Sequence, residues 1–154
     1  MIEKGIYGLL TQATSVSALV GNRVYYILQP KGTLVPSVVI GTVATDDVYS
    51  VAGASGLRFG LYQFDAYAAD YYSCRAVSRA VRLLLENYKG NLPDADATTV
   101  LGCMIEKDWD MPYEAGQFGF VYRALLEVRF IYQDTFLPVS SPASGEGIVD
   151  GGTS

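Results

Sequence analysis

Residues 57–90 read LRFGLYQFDAYAADYYSCRAVSRAVRLLLENYKG, and this stretch decides the fold. In its first half Tyr62, Phe64 and Ala66 alternate with Gln63 and Asp65, the two-residue period of a half-buried strand. At Asp70 the period changes. Cys74, Val77, Val81, Leu84 and Tyr88 then recur at helical spacing and form one apolar stripe. Arg75, Arg79, Arg82 and Glu86 fall on another face, which reads as solvated rather than as an anion site. Asp70 is placed to cap the helix, because its carboxylate can accept from unpaired N–H groups of the first turn. Gly90 suits the left-handed position that ends such a helix. A strand that feeds a helix through so short a connection lays the helix back on its sheet, so this pair is expected to form the core.

Upstream, Ile2, Ile6, Leu9 and Ala13 predict a short amphipathic helix, and Val16, Leu19 and Val20 a second apolar cluster that Gly21 stops. Strands are expected around Val24–Tyr26 and at residues 35–40, with residues 29–32 (QPKG) breaking the chain between them. Residues 44–56 (ATDDVYSVAGASG) read as a long exposed connection between antiparallel strands. Downstream come a polar loop at residues 91–99, a short strand at 100–105 and a second long connection at 108–117 (DWDMPYEAGQ). Residues 120–132 form the clearest strand: Tyr122, Ala124, Leu126, Val128 and Phe130 face one way, and Arg123, Glu127 and Arg129 the other. Beyond Gln133 the chain turns to Ser, Gly and Pro. The domain is therefore drawn at 1–133, with 134–154 as a flexible C-terminal tail or arm. The fold class expected is α+β: a mostly antiparallel sheet of about four strands, helices packed on one face, and long hairpin loops.

Composition narrows the function. The 154 residues suffice for one domain without metal or disulfide staples. A net charge of −5 argues against tight grip on a phosphate backbone, which needs clustered Lys and Arg. Cys74 and Cys103, the two cysteines, read as buried thiols. The N-terminal MIEKG is no secretory signal, and no apolar run reaches the ~20 residues of a membrane span. The expectation is a soluble protein made in the cytoplasm. No histidine is present, which removes Ser-His-Asp and Cys-His nucleophile systems. Asp46 with Asp47, or Asp108 with Asp110, could hold a hard cation, but neither pair has an EF-hand spacing. Residues 53–56 (GASG) lack the Gly-Lys-Ser/Thr of a phosphate loop. No cofactor and no catalytic residue is expected. Twelve tyrosines is a high count, and Tyr25, Tyr49, Tyr113 and one of Tyr71 or Tyr72 fall outside the expected core. Tyr and Arg are enriched at protein interfaces, so the excess points to an assembly component.

The order of motifs resembles the tail completion (tail terminator) proteins of long-tailed bacteriophages. The resemblance runs through the amphipathic start, residues 18–25 (ALVGNRVY), 29–30 (QP), 35–40 (VPSVVI), 62–68 (YQFDAYA) with the helix after it, and 122–130 (YRALLEVRF). It covers residues 2–133 and departs from the family at the 44–56 and 108–117 connections. It implies a non-catalytic virion subunit that forms a ring, commonly a hexamer, on the head-proximal end of the tail tube. The ring would stop tube polymerisation and join tail to head, with DNA at most passing through its lumen. The partners implied are the tail tube protein and a head–tail connector. The contact residues expected are Trp109, Met111, Tyr113, Tyr49, Asp46, Asp47, Arg123 and Arg129. The alternatives are another neck protein, connector or stopper, and a small metal-dependent enzyme using Asp46 or Asp108.

Overall fold

The computed structural model describes the backbone of residues 2–27, 35–50, 53–93, 98–116 and 119–133, and the side chains of 2–27, 35–46, 57–93, 98–110 and 122–133. The tail expected at 134–154 and the 29–32 break lie outside the described residues. Two helices open the chain, α1 (Ile2–Gln12) and α2 (Thr14–Val20). Then follow β1 (Val24–Tyr26), β2 (Ser37–Ser50), β3 (Gly53–Ala68), α3 (Tyr71–Leu85), β4 (Gly90–Asn91), β5 (Thr99–Gly116) and β6 (Gly119–Gln133).

The strands form a single sheet in the order β1-β2-β3-β6-β5-β4. β1 runs parallel to β2 and the remaining pairs are antiparallel, so the sheet is mixed. It curls as a half-barrel. This corrects the expected four-stranded antiparallel sheet. The two "long connections" are not loops: residues 44–50 pair with 53–61 to extend the β2–β3 hairpin, and 108–116 pair with 119–126 to extend the β5–β6 hairpin. Their Asp, Gly and Pro content signalled turns. Long cross-strand ladders outweigh that local preference, which is why β propensity is a weak guide.

α3 begins where expected. The Asp70 carboxylate accepts from the Ser73 N–H at 3.3 Å and from the Ser73 hydroxyl at 3.0 Å. The stripe ends differently: Cys74, Val77, Ser78, Val81 and Leu85 are buried, while Leu84 and Tyr88 pack only partly against the core. The helix stops at Leu85, and Asn87 rather than Gly90 takes the first left-handed position, at φ 63°. Gly90 instead enters β4.

Alternation along β3 and β6 puts Tyr62, Phe64, Ala66, Ala124, Leu126, Val128, Phe130 and Tyr132 on the face that meets the helices, and all are buried. Ile2, Ile6 and Leu10 of α1, Val16 and Val20 of α2 and the α3 stripe join them in one cluster. Tyr122, expected with this set, is 39% exposed because it stands at the margin of the β3–β6 ladder, opposite Ala68, the last residue of β3. Burial holds the Cys103 thiol up at about 12 and Cys74 at about 11, so both behave as inert core groups at neutral pH.

Gly60 shows how tightly this face is filled. A Cβ there would stand 2.6 Å from a ring carbon of Tyr62 and 3.2 Å from one of Tyr132. Both rings are fully buried and have no room to retreat. Gly60→Ala should therefore destabilise the domain by about 1–3 kcal/mol, despite removing a flexible glycine from a strand. Equal or greater stability in chemical denaturation would mean the rings shift freely.

Candidate interaction surfaces

The second sheet face carries the residues that alternate with the core. Register places them in rows across the strands. Tyr25, Val39, Asp65, Leu125 and Trp109 form one row over five strands. Tyr67, Arg123 and Met111 form the next, and Gln63, Glu127 and Lys107 a third. Leu61, Arg129 and Met104 follow, with Ala44 and Asp46 at the β2 margin. Polar groups stitch this face together. Arg123 donates to Asp65 at 2.7 Å and lies over the Tyr67 ring, and the Gln63 amide donates to the same carboxyl at 2.8 Å. Arg129 pairs with Glu106 at 3.0 Å, and Lys107 sits 5.9 Å from the centre of the Trp109 ring.

The expected contact residues are thus partly brought together. Trp109, Arg123, Arg129 and Asp46 share this face, and Met111 stands at the register position beside Arg123. Trp109 is half-buried in mid-strand, not at a loop tip. Tyr49 and Asp47 lie in β2 and Tyr113 in β5; their side chains, like that of Met111, are outside those described.

Both hairpins outrun the sheet, and they do so at opposite ends. The β3–β6 ladder stops at Leu57↔Gln133 and Ala68↔Tyr122. Past Leu57 the β2–β3 pair continues to Ser50↔Gly53, about 13 Å at ~3.3 Å per residue. Past Tyr122 the β5–β6 pair continues to Gly116↔Gly119, about 10 Å by the same rise. The molecule therefore carries one two-stranded arm at each end of its strand axis.

A third surface is the outer face of α3. A register shift between Ile105 and Lys107 leaves Glu106 as an extra residue and turns Asp108 and Asp110 toward the helix side. Asp108 accepts from Arg75 at 3.2 Å and Arg82 at 2.8 Å, and Asp110 from Arg75 at 3.0 Å and the Tyr71 hydroxyl at 3.1 Å. The Asp108 hydrogen bond raises the affinity of the Arg82 guanidinium for its proton. At Arg75 burial pulls the other way, but Asp108 and Asp110 outweigh it. Between the paired arginines lies an open cleft of about 510 Å³ lined by Arg75, Arg79, Arg82, Leu83, Glu86 and Asp108. Reading the arginine row as solvated missed this clamp, because only the bulge aims the two aspartates at it. At the start of α3, Tyr71, Tyr72 and Tyr122 stack edge to face and stay exposed.

As for metal or catalytic chemistry, Asp108 is shared by two arginines and is not a vacant base or ligand. Among the described residues no group of three or more His, Cys, Asp and Glu could hold a metal ion. Among them, too, no helix is long and apolar enough to cross a membrane.

No family model matches the chain. No curated protein matches it either. Among solved structures, a chain of the virion of a native gene transfer agent particle shares the fold. That match has a TM-score of 0.62 at 19% identity and covers 86% of this chain and 94% of that one.

Proposed function

We propose that this chain is a structural virion protein, the ring-forming terminator that ends a phage-type tail tube and joins it to the head. The observation that carries the reading is the pair of arms at opposite ends of one rigid sheet. A subunit that lies between a tube and a connector must grip two different partners along one axis, and arms pointing both ways supply that. The shared fold with a virion chain supports a place in a particle, and the order of sequence motifs supports this particular place. On this reading Trp109, Met111 and Tyr113 on the β5–β6 hairpin contact the tail tube, with aromatic and apolar anchors doing the work that interface centres require. The β2–β3 arm, which carries Tyr49 and has Asp47 at its base, takes the connector side.

Particle assembly without the chain tests this. Terminator function predicts tail tubes of irregular, excessive length that carry no heads. Tails of normal length that merely lack heads would place the chain with the connectors or stoppers instead. In the presence of a Trp109→Ser, Met111→Ser, Tyr113→Ser variant that folds normally, the same overlong, headless tails are expected; normal particles would remove the β5–β6 hairpin from the tube contact.

A further inference from the structure

We propose that the α3 cleft is a docking site for the exposed β2 margin of a second copy of this chain, at the base of its β2–β3 arm, with Asp46 of one copy pairing with Arg79 of the next. The inference rests on the ring-forming reading and supplies its subunit contact.

An account of charges leads to it. Among the described acids, Asp65 pairs with Arg123, Glu106 with Arg129, Glu86 with Arg82, and Asp108 and Asp110 with the α3 arginines. Glu3 accepts from the Tyr62 hydroxyl at 3.2 Å, Asp70 caps α3, and Glu127 stands across from Lys107. Asp46 is left exposed with no such partner among the described residues. On the basic side Arg75, Arg82, Arg123 and Arg129 are paired, and Arg23 donates to the Pro36 carbonyl at 2.8 Å. Arg79 has no ion pair among the described residues, yet it stands in a formed cleft. Lys4 and Lys89 are surface lysines outside that cleft.

The cleft selects its occupant. Asp108 holds Arg75 and Arg82 fixed on either side of Arg79, so the walls are ordered before anything binds. The three arginines meet three acids, Asp108, Asp110 and Glu86, so the group is neutral overall, and Arg79 is the arginine of the three with no ion pair among the described residues. That suits one carboxylate and is poor for a polyanion, which needs an excess of cations. Leu83, 62% exposed, adds an apolar floor beside Arg79. The β2 margin presents the matching chemistry: Asp46 lies on the same sheet face as its cross-strand partner Phe59 and as Ala44 and Leu61. This margin lies on the β2 side of the sheet and the cleft over β5, toward the other side. One copy can therefore offer its β2 margin to a neighbour while receiving another's, the head-to-tail relation that closes into a ring.

Sedimentation velocity of the purified full chain tests the pair. Wild type should self-associate. Arg79→Glu and Asp46→Lys should each weaken association by at least about tenfold, as close interfacial charge pairs do. The double reversal should restore it to within a few-fold. Both side chains are exposed, so unchanged melting curves establish that the single variants fold. A monomeric wild type, single variants that associate normally, or a double variant no better than the singles would each overturn the proposal. So would an Arg79→Glu chain that associates normally but fails to enter particles, which assigns the cleft to an acidic segment of another protein. Duplex oligonucleotide binding that Arg79→Glu abolishes would overturn it too, in favour of phosphate. A monomeric chain whose omission still yields overlong tails would sink this contact and leave the terminator reading standing.

Discussion

Val81→Asp should abolish the fold. Val81 is 1% exposed, one turn from both Val77 and Leu85 on the α3 stripe, in the cluster that joins all three described helices to the sheet. A carboxylate placed there has no cation within the cluster, and an unpaired buried charge costs several kcal/mol even after relaxation. Domains of this size are held by about 5–15 kcal/mol in all. The variant is expected in the insoluble fraction, or soluble without a cooperative melting transition. Ala76→Asp is the control: it introduces the same charge on the exposed side of the same helix and should melt close to wild type. A cooperatively melting Val81→Asp chain would mean that α3 does not bury this face.

What the sequence made legible follows from which interactions are periodic. The β3 and β6 alternations and the α3 stripe repeat over several turns or pleats, so Tyr62, Phe64, Val77, Val81, Leu126 and Phe130 were identifiable as core from spacing alone. The Asp70 cap was legible because it is local. The strand count was not. β4 has two residues, too short for any period to register, and forms only because a neighbouring edge is available; the three-residue β1 was expected as a strand, but its parallel pairing with β2 was not. The hairpin extensions were misread because 44–56 and 108–117 contain the Asp, Gly and Pro of turns, whereas their pairing is with distant partners such as Phe59 and Leu126. The fate of Asp108 was beyond reach. Without the bulge at Glu106, regular alternation from Ile105 would turn Asp108 to the other face, away from Arg75 and Arg82. The tyrosine excess divided: Tyr71 and Tyr72 are both exposed, and so is Tyr122, which alternation had placed with the core, whereas Tyr62 and Tyr132 are fully buried. Aromatic count alone does not separate the two uses.

That division makes Phe130→Ala the other large effect expected. On the helix-facing side of the sheet, Tyr62 meets Phe130 edge to face, with centroids 5.5 Å apart and planes at 90°. The Phe64 ring centre lies 6.5 Å from the same ring, so Phe130 neighbours both. Tyr62 in turn reaches Glu3 of α1 through its hydroxyl, and burial, with Tyr132 and Glu3 beside it, keeps that phenol protonated far above neutrality. Truncation at Phe130 removes the ring on which the Tyr62 position depends, and Gly60 beneath offers no side chain to fill the space. Removal of a fully buried Phe costs about 3–5 kcal/mol. For a chain of this length that lowers the melting temperature by roughly 10 °C or more. Phe130→Leu retains most of the volume and should cost less than half as much. The aromatic contact itself can be isolated by a double-mutant cycle of Phe130→Leu with Tyr62→Leu, where a coupling of about 0.5–1.5 kcal/mol is expected. Additive losses would show that the two rings fill space independently, and that the α1–sheet junction does not rest on their contact.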